Sequence, residues 1–239
     1  MSVVVILAGY SFTNQPDKTS VENSYIQMIV NVATECLKSK AERVIVVTKQ
    51  KEILEACEKI EGIEACMSDP NLKSCTHIVS SVCKFLRDDV VINVQGNWPF
   101  IRHQLIDQLI DDIAENNNYM STFCTEIDEL SANDENLVKV IFDKNSYAIY
   151  FSRGKIPFNR DKKSVRYYKH IEVYGFRREF LLKYVNLNES YLEEAEKLEQ
   201  LRAIENGYKI KVLLTDYNPI YIDTEESFYR GEKYLKNEQ

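Results

Sequence analysis

Apolar residues fall along the first half of this chain in two alternating patterns. Val3–Leu7 is an unbroken apolar run, as expected of a strand buried on both faces. Ser24–Lys38 then places Ile26, Ile29, Val30, Ala33 and Leu37 on one helical face. Arg43–Val47 is a second buried strand, and Ile53, Leu54, Cys57 and Ile60 mark a short amphipathic helix. Ile78, Val79, Val82, Cys83 and Leu86 recur at helical spacing, Val90–Val94 is another buried strand, and Leu105 to Ile113 carries the stripe of a further helix. Strand and helix in repetition with short connections predict an α/β fold, a mostly parallel sheet with helices on both faces. Ligands of such sheets sit beyond the carboxyl ends of the strands, so function is sought after Leu7, Val47 and Val94.

From about residue 117 the pattern becomes β-rich. Tyr119–Thr125, Leu137–Phe142, Tyr147–Ser152 and His170–Phe176 are strand-like, and the basic stretch Gly154–Arg166, with Pro157 in it, reads as a loop. A helix is predicted over Leu192–Asn206, closed by Gly207, then a strand at Ile210–Leu214 and a last helix over Thr224–Leu235. No repeat or linker interrupts the chain, which predicts one domain over 1–239.

The 239 residues suffice to bury a core without disulfide or metal. A net charge of −7 argues against nucleic acid or an anionic membrane as the main partner, so an anionic small substrate would need a local cluster of cations. The cysteines show no CxxC pair and no zinc spacing with the histidines, and read as reduced, mostly buried thiols. The apolar start is a strand and not a signal peptide, and no stretch approaches the length of a membrane span, so a cytoplasmic protein is expected.

Five ordered segments carry a resemblance. NVQGNWPFI at 93–101 is similar to NVQGDEPFI, and VKVIFDKNSYAIYFSRGKIPF at 138–158 to VKVVxDxxGxALYFSRxxIPW. His170 with VYGFR at 173–177 matches HxGIYGYR, LEEAEKLEQLR at 192–202 has the form LExxExLEQLR, and YIDTEESF at 221–228 resembles GVDTPEDL. These patterns belong to the CMP-Kdo synthetase family. The resemblance implies a Rossmann-like nucleotidyltransferase fold, a homodimer with a β-rich dimerisation lobe at about 117–180, and Mg²⁺. It also implies the reaction CTP + Kdo → CMP-Kdo + pyrophosphate, serving envelope or capsule polysaccharide such as lipopolysaccharide. A sugar hydroxyl attacks the α-phosphate there, so metal and basic side chains must neutralise the developing charge.

The acid-binding side keeps the family pattern at Gln95, Ser152, Arg153, His170, Tyr174, Glu199 and Gln200, and the resemblance assigns all of these but Ser152 to the sugar acid. The nucleotide side departs from it. Where the family reads IPARYxSTRLPGKPL this chain has ILAGYSFTNQPDKTS: Gly9 and Asn14 replace arginines, Asp17 replaces a glycine, and Lys18 survives. Lys18 is the expected phosphate-holding catalytic residue, and Gly9 a small residue where backbone could approach an anion. SGTxR becomes SCTHI at 74–78, leaving Ser74 and Thr76 for the nucleotide, and Lys49 stands where an aspartate does in the family. One metal aspartate survives as Asp223, the other is Asn97, and Trp98 replaces the adjacent glutamate, so a weakened Mg²⁺ site is expected.

Each position also has a plain alternative: a solvated lysine at 18, a helix-start charge at 223, a turn amide at 97, a satisfied core histidine at 170, an ion-paired arginine at 153, a solvated helix face at 199 and 200. Two further functions stay open beside the cytidylyltransferase: a pseudoenzyme that keeps the scaffold and binds a protein partner, and a nucleotidyltransferase with a different acidic acceptor.

Overall fold

The computed structural model describes residues 1–9, 18–72, 74–161 and 163–218, the side chains of 18–24 excepted. The expected Thr224–Leu235 helix and Asp223 lie outside the described residues. Two compact units divide near Ile110 and Asp111.

The first unit is the strand–helix alternation. It comprises β1 (Ser2–Ala8), α1 (Lys18–Cys36), β2 (Arg43–Thr48), α2 (Lys51–Cys57), β3 (Ile63–Met67), α3 (Cys75–Cys83), β4 (Val90–Gln95) and the start of α4 (His103–Glu115). The order β3-β2-β1-β4 is parallel throughout, with Val5 of β1 between Ile45 of β2 and Asn93 of β4. Burial is complete along β1, which explains why its sequence is a continuous apolar run and not an alternating one. Ile29, Val32, Ala33, Ile53, Ile78 and Val79 bring helix faces into the same core. The short strand β3 is an addition to the sequence expectation. Only Ile63 in it is buried, and the Arg43 fork on Glu64, at 2.8 and 2.7 Å, ties it to β2.

In the second unit β5 (Met120–Ile127) runs antiparallel to β8 (Tyr167–Arg177) and parallel to β9 (Lys211–Leu214). β6 (Lys139–Phe142) and β7 (Ala148–Ser152) form a hairpin. Its turn is set by Asp143, whose Oδ1 accepts the amides of Asn145 and Tyr147 at 2.8 Å each. Phe123, Phe151, Tyr167, Phe176 and Tyr184 fill the core. Residues 154–161 and 163–166 form no helix or strand. Helix α5 (Arg178–Tyr184) was not expected.

The helix predicted over Leu192–Asn206 is corrected to two, α6 (Tyr191–Glu196) and α7 (Leu201–Glu205). Lys197 between them adopts the left-handed conformation at φ 56°. The break lets the Tyr184 hydroxyl donate to the Glu199 carbonyl at 2.5 Å and returns Arg202 onto Glu193, so tertiary bonds outweigh the helical spacing. Gly207 takes the expected left-handed position after α7. All six cysteines are free; Cys36, Cys57, Cys83 and Cys124 are buried. No helix among the described residues is long and apolar enough to cross a membrane.

Candidate active site

In the first unit the expected nucleotide-side residues stand at the carboxyl ends of the parallel strands. Gly9 follows β1 at φ +96°, a conformation that side chains rarely adopt, and its N–H donates to the Tyr25 hydroxyl at 3.0 Å. Lys18 opens α1. Ser74 occupies the N-cap of α3, its carbonyl accepting the Ile78 amide at 3.2 Å, and Thr76 is buried in the first turn. Ile78, at the position where the family pattern has arginine, is fully buried in the core. Lys49 reaches the carbonyls of Pro70 and Leu72 at 3.3 Å each and so holds the loop after β3.

The loop after β4 is pinned against β1. Gly96 donates to the Leu7 carbonyl at 2.8 Å, and a Cβ on it would fall 2.4 Å from Ile29 Cδ1 and 2.9 Å from that carbonyl oxygen. Only glycine fits that approach. It presses the next residue inward: Asn97 is 8% exposed, and its Oδ1 is buried with no hydrogen-bond partner among the described residues. Trp98 is buried beside it and packs as core, with no stacking face to solvent. Gln95 stays half-buried at the end of β4.

In the second unit Ser152 and Arg153 of the acid-side residues meet in a hydrogen-bond cluster. The Glu196 carboxylate accepts the Ser152 hydroxyl at 2.6 Å, the Arg153 amide at 3.0 Å and the Tyr150 hydroxyl at 3.2 Å. Burial favours its neutral form, but these donors outweigh it and hold the carboxyl below the usual range. The Arg153 guanidinium donates from Nε to the Glu196 carbonyl at 3.2 Å and from Nη1 to the Glu135 carbonyl at 3.4 Å. Lys139 is fully buried, and its Nζ donates to the carbonyls of Leu137, Arg153 and Asp134 at 2.5, 2.6 and 2.7 Å.

His170 lies on β8 with its ring 4.8 Å from that of Phe151 and 5.5 Å from that of Tyr174. Burial pushes its pKa down to about 3, so the imidazole is neutral at physiological pH. Its tautomer follows from its neighbour. The Thr122 hydroxyl has one proton and lies 3.0 and 2.9 Å from the carbonyls of Ile171 and Val173, which can only accept. The Nε2 of His170, 2.9 Å from the same oxygen, therefore carries the imidazole proton and donates it. Nδ1 is left as a buried acceptor without a partner among the described residues. The bulge between Thr122 and Phe123 makes this convergence of carbonyls.

Gln200, in the turn between α6 and α7, is buried with Nε2 unpartnered; Glu199 beside it is half-buried. Arg202 is a structural member of the same motif, with Nε and Nη2 on Glu193 at 2.8 and 2.5 Å. The second unit thus brings Arg153 onto Glu196 and sets His170 beside Tyr174. The sequence reasoning passed over Glu196 and Lys139 as site-building residues, although both lie inside the quoted motifs.

The parallel order β3-β2-β1-β4, with helices between its strands, is an α/β architecture whose ligands sit at the strand-end loops. Residues 23–210 match the cytidylyltransferase family. The 3-deoxy-manno-octulosonate cytidylyltransferase of Thermodesulfovibrio yellowstonii is 39% identical over 98% of both chains. That of Fusobacterium nucleatum is 37% identical over 97% of this chain and 96% of its own. A solved structure of CMP:2-keto-3-deoxy-manno-octonic acid synthetase complexed with CTP superposes with a TM-score of 0.91 at 28% identity, covering 100% of this chain and 99% of that one. The chain belongs to the 3-deoxy-manno-octulosonate cytidylyltransferase (CMP-Kdo synthetase) family.

Proposed function

We propose that this protein transfers a cytidylyl group from CTP to 3-deoxy-manno-octulosonate or a closely related sugar acid, releasing pyrophosphate, in the supply of an activated sugar for envelope polysaccharide. The observation that carries the proposal is the end-to-end likeness to cytidylyltransferases of that acid, joined to an arginine, Arg153, whose fork no carboxylate occupies. Arg153 binds the acid's carboxylate, His170 Nδ1 accepts a hydrogen bond from a sugar hydroxyl, and Gln200 Nε2 donates one. Tyr174 and Glu199 complete the acid's surroundings in the second unit, and Gln95 of the first keeps the role that the family pattern gives it. Gly9, Lys18, Ser74 and Thr76 serve the nucleotide.

The buried Asn97 Oδ1 is an oxygen donor of the kind a hard divalent cation takes, and it would hold Mg²⁺ together with Asp223. Bound Mg²⁺ supplies charge neutralisation at the phosphoryl oxygens. With a neutral amide in place of one carboxylate, the site is weaker than the family pattern. No group of three or more His, Cys, Asp or Glu that could hold a metal occurs among the described residues. A homodimer through the lobe at 117–180 belongs to the same proposal. Leu130, Ile149 and Phe158 are exposed apolar side chains there for a partner protomer to cover.

The test is pyrophosphate release from CTP with 3-deoxy-manno-octulosonate and Mg²⁺. Absence of release with every nucleoside triphosphate at high Mg²⁺ refutes the proposal. One set of observations favours a second reading, a catalytically silent scaffold that binds a protein partner: Ile78 packs in the core, the Gly9 N–H is engaged by Tyr25, and Asn97 brings no charge. Binding of neither CTP nor the acid in calorimetric titration would select it.

A further inference from the structure

We infer that Glu196 is a positioning residue for acceptor binding, fixing the direction in which Arg153 presents its remaining N–H donors. The inference rests on the proposed role of Arg153 toward the acid, and goes beyond it to a residue that would not touch substrate. Arg153 is fastened along its whole length. Its amide donates to Glu196 Oε2 at 3.0 Å, its carbonyl accepts from Lys139 Nζ at 2.6 Å, and its Nε donates to the Glu196 carbonyl at 3.2 Å. Nη1 completes the set on the Glu135 carbonyl at 3.4 Å.

The way Glu196 divides its oxygens is what makes it a positioning device. A carboxylate paired with the guanidinium would neutralise it and compete with any anionic ligand. Here the carboxylate is turned to Ser152, Tyr150 and the Arg153 backbone amide, and the guanidinium meets only carbonyl oxygens. Carbonyl dipoles orient the fork by direct bonds, while the carboxylates of Glu196 and Glu172 act on its charge through space, with no hydrogen bond to the guanidinium. A guanidinium has five N–H donors; Nε–H and one on Nη1 are engaged, so both on Nη2 and one on Nη1 have no partner among the described residues. That is a preformed edge for a bidentate carboxylate. Glu196 lies 43 residues from Arg153 and 44 from Ser152 in sequence, so only the folded second unit creates this arrangement.

The experiment compares Glu196→Gln, Glu196→Asp, Arg153→Ala and the double variant E196Q/R153A with the wild type. Binding of 3-deoxy-manno-octulosonate is measured by calorimetric titration, the KM values for the acid and for CTP in the pyrophosphate assay, and folding by thermal melting. Glutamine in place of Glu196 can still accept from Ser152 but would set an N–H₂ against the Arg153 amide. E196Q should weaken acid binding about tenfold, the equivalent of one charge-assisted hydrogen bond. The CTP KM should stay within about twofold, a split that a general loss of folded protein would not give. E196D should recover part of the loss, and E196Q/R153A should bind no worse than R153A, because the two residues act through one contact. If E196Q melts too low to assay, Ser152→Ala, which removes the shortest bond to Glu196, should show a smaller shift of the same kind. Acid binding by E196Q, or by S152A in its place, within about twofold of wild type while R153A is weakened overturns the positioning role alone. Undiminished binding by R153A, or no binding by the wild type, overturns the role of Arg153 and the inference with it.

Discussion

Arg202→Met tests whether the retained motif around α6 and α7 is held by one buried ion pair. Arg202 is 4% exposed and the Glu193 side chain 12%. Two parallel N–H···O bonds join them, and the guanidinium lies 5.5 Å from the centre of the Tyr184 ring. Methionine fills much of the volume but leaves the Glu193 carboxylate inside with only the Ser190 amide, at 3.3 Å, still donating to it. Removing one partner of a buried pair costs about 3–5 kcal/mol. At about 2–4 °C per kcal/mol for a chain of this size, the melting midpoint should fall by roughly 6–20 °C in scanning calorimetry. The mechanism predicts one further result. Glu193→Leu in the same chain should restore much of the loss, because an apolar pair of similar volume avoids the stranded charge. A midpoint within about 2 °C of wild type, or a double variant less stable than the single one, refutes the reasoning.

Three other outcomes follow from the described geometry. Gly96→Ala should destabilise by about 1–3 kcal/mol in urea unfolding, because its methyl meets Ile29 Cδ1 at 2.4 Å and the Leu7 carbonyl at 2.9 Å. His170 is held neutral with its pKa near 3 against 6.5 unfolded, so its contribution is fully present above about pH 6.5 and is lost as pH falls toward 3. The urea midpoint should decline over that window with a component absent from His170→Gln, and the imidazole should show no NMR titration between pH 8 and 5. Asn97→Asp adds charge to the proposed Mg²⁺ ligand and should lower the Mg²⁺ concentration for half-maximal pyrophosphate release about tenfold. An unchanged Mg²⁺ dependence removes Asn97 from that role.

What the sequence displays is burial that a single segment can express. β1, β2 and β4 are almost wholly buried, so their apolar runs predict them directly, and Gly207 marks the end of α7 by its own conformational freedom. β3 gives no such signal, since only Ile63 in it is buried and it is held by its backbone ladder to β2, with Arg43 on Glu64 beside it. The break at Lys197 is hidden for the same kind of reason. Leu198, Leu201 and Ala203 keep an apolar sequence going, and the left-handed residue is a lysine; the turn around it is held by Tyr184 on the Glu199 carbonyl and Arg202 on Glu193, which no local pattern encodes. Resemblance placed Arg153, His170 and Gln200 in one function. Periodicity could not reach Glu196, because the bonds that matter span more than forty residues.

The same distinction bears on which retained motif residues inform about chemistry. Glu193 and Arg202 satisfy each other, Lys139 satisfies three carbonyls, and Ser152 satisfies Glu196; a scaffold with no substrate would need all of them. Their presence explains the fold and leaves catalysis unaddressed. Different weight attaches to His170 Nδ1, Gln200 Nε2 and Asn97 Oδ1, buried atoms without partners among the described residues, and to the open edge of Arg153. Each such buried atom costs the folded chain about 1–3 kcal/mol unless something meets it. A scaffold that bound no ligand would gain stability by replacing them with apolar groups of like shape. In the proposed function, the acceptor, the donor and the guanidinium edge of the second unit would meet the polyhydroxy acid, and the amide oxygen of the first would meet the cation. Ser80 Oγ, Asp88 Oδ1, Asn93 Oδ1 and the Tyr167 hydroxyl are buried without partners among the described residues as well, so such atoms speak for a working transferase only where they coincide with the retained motifs, as at His170 and Gln200.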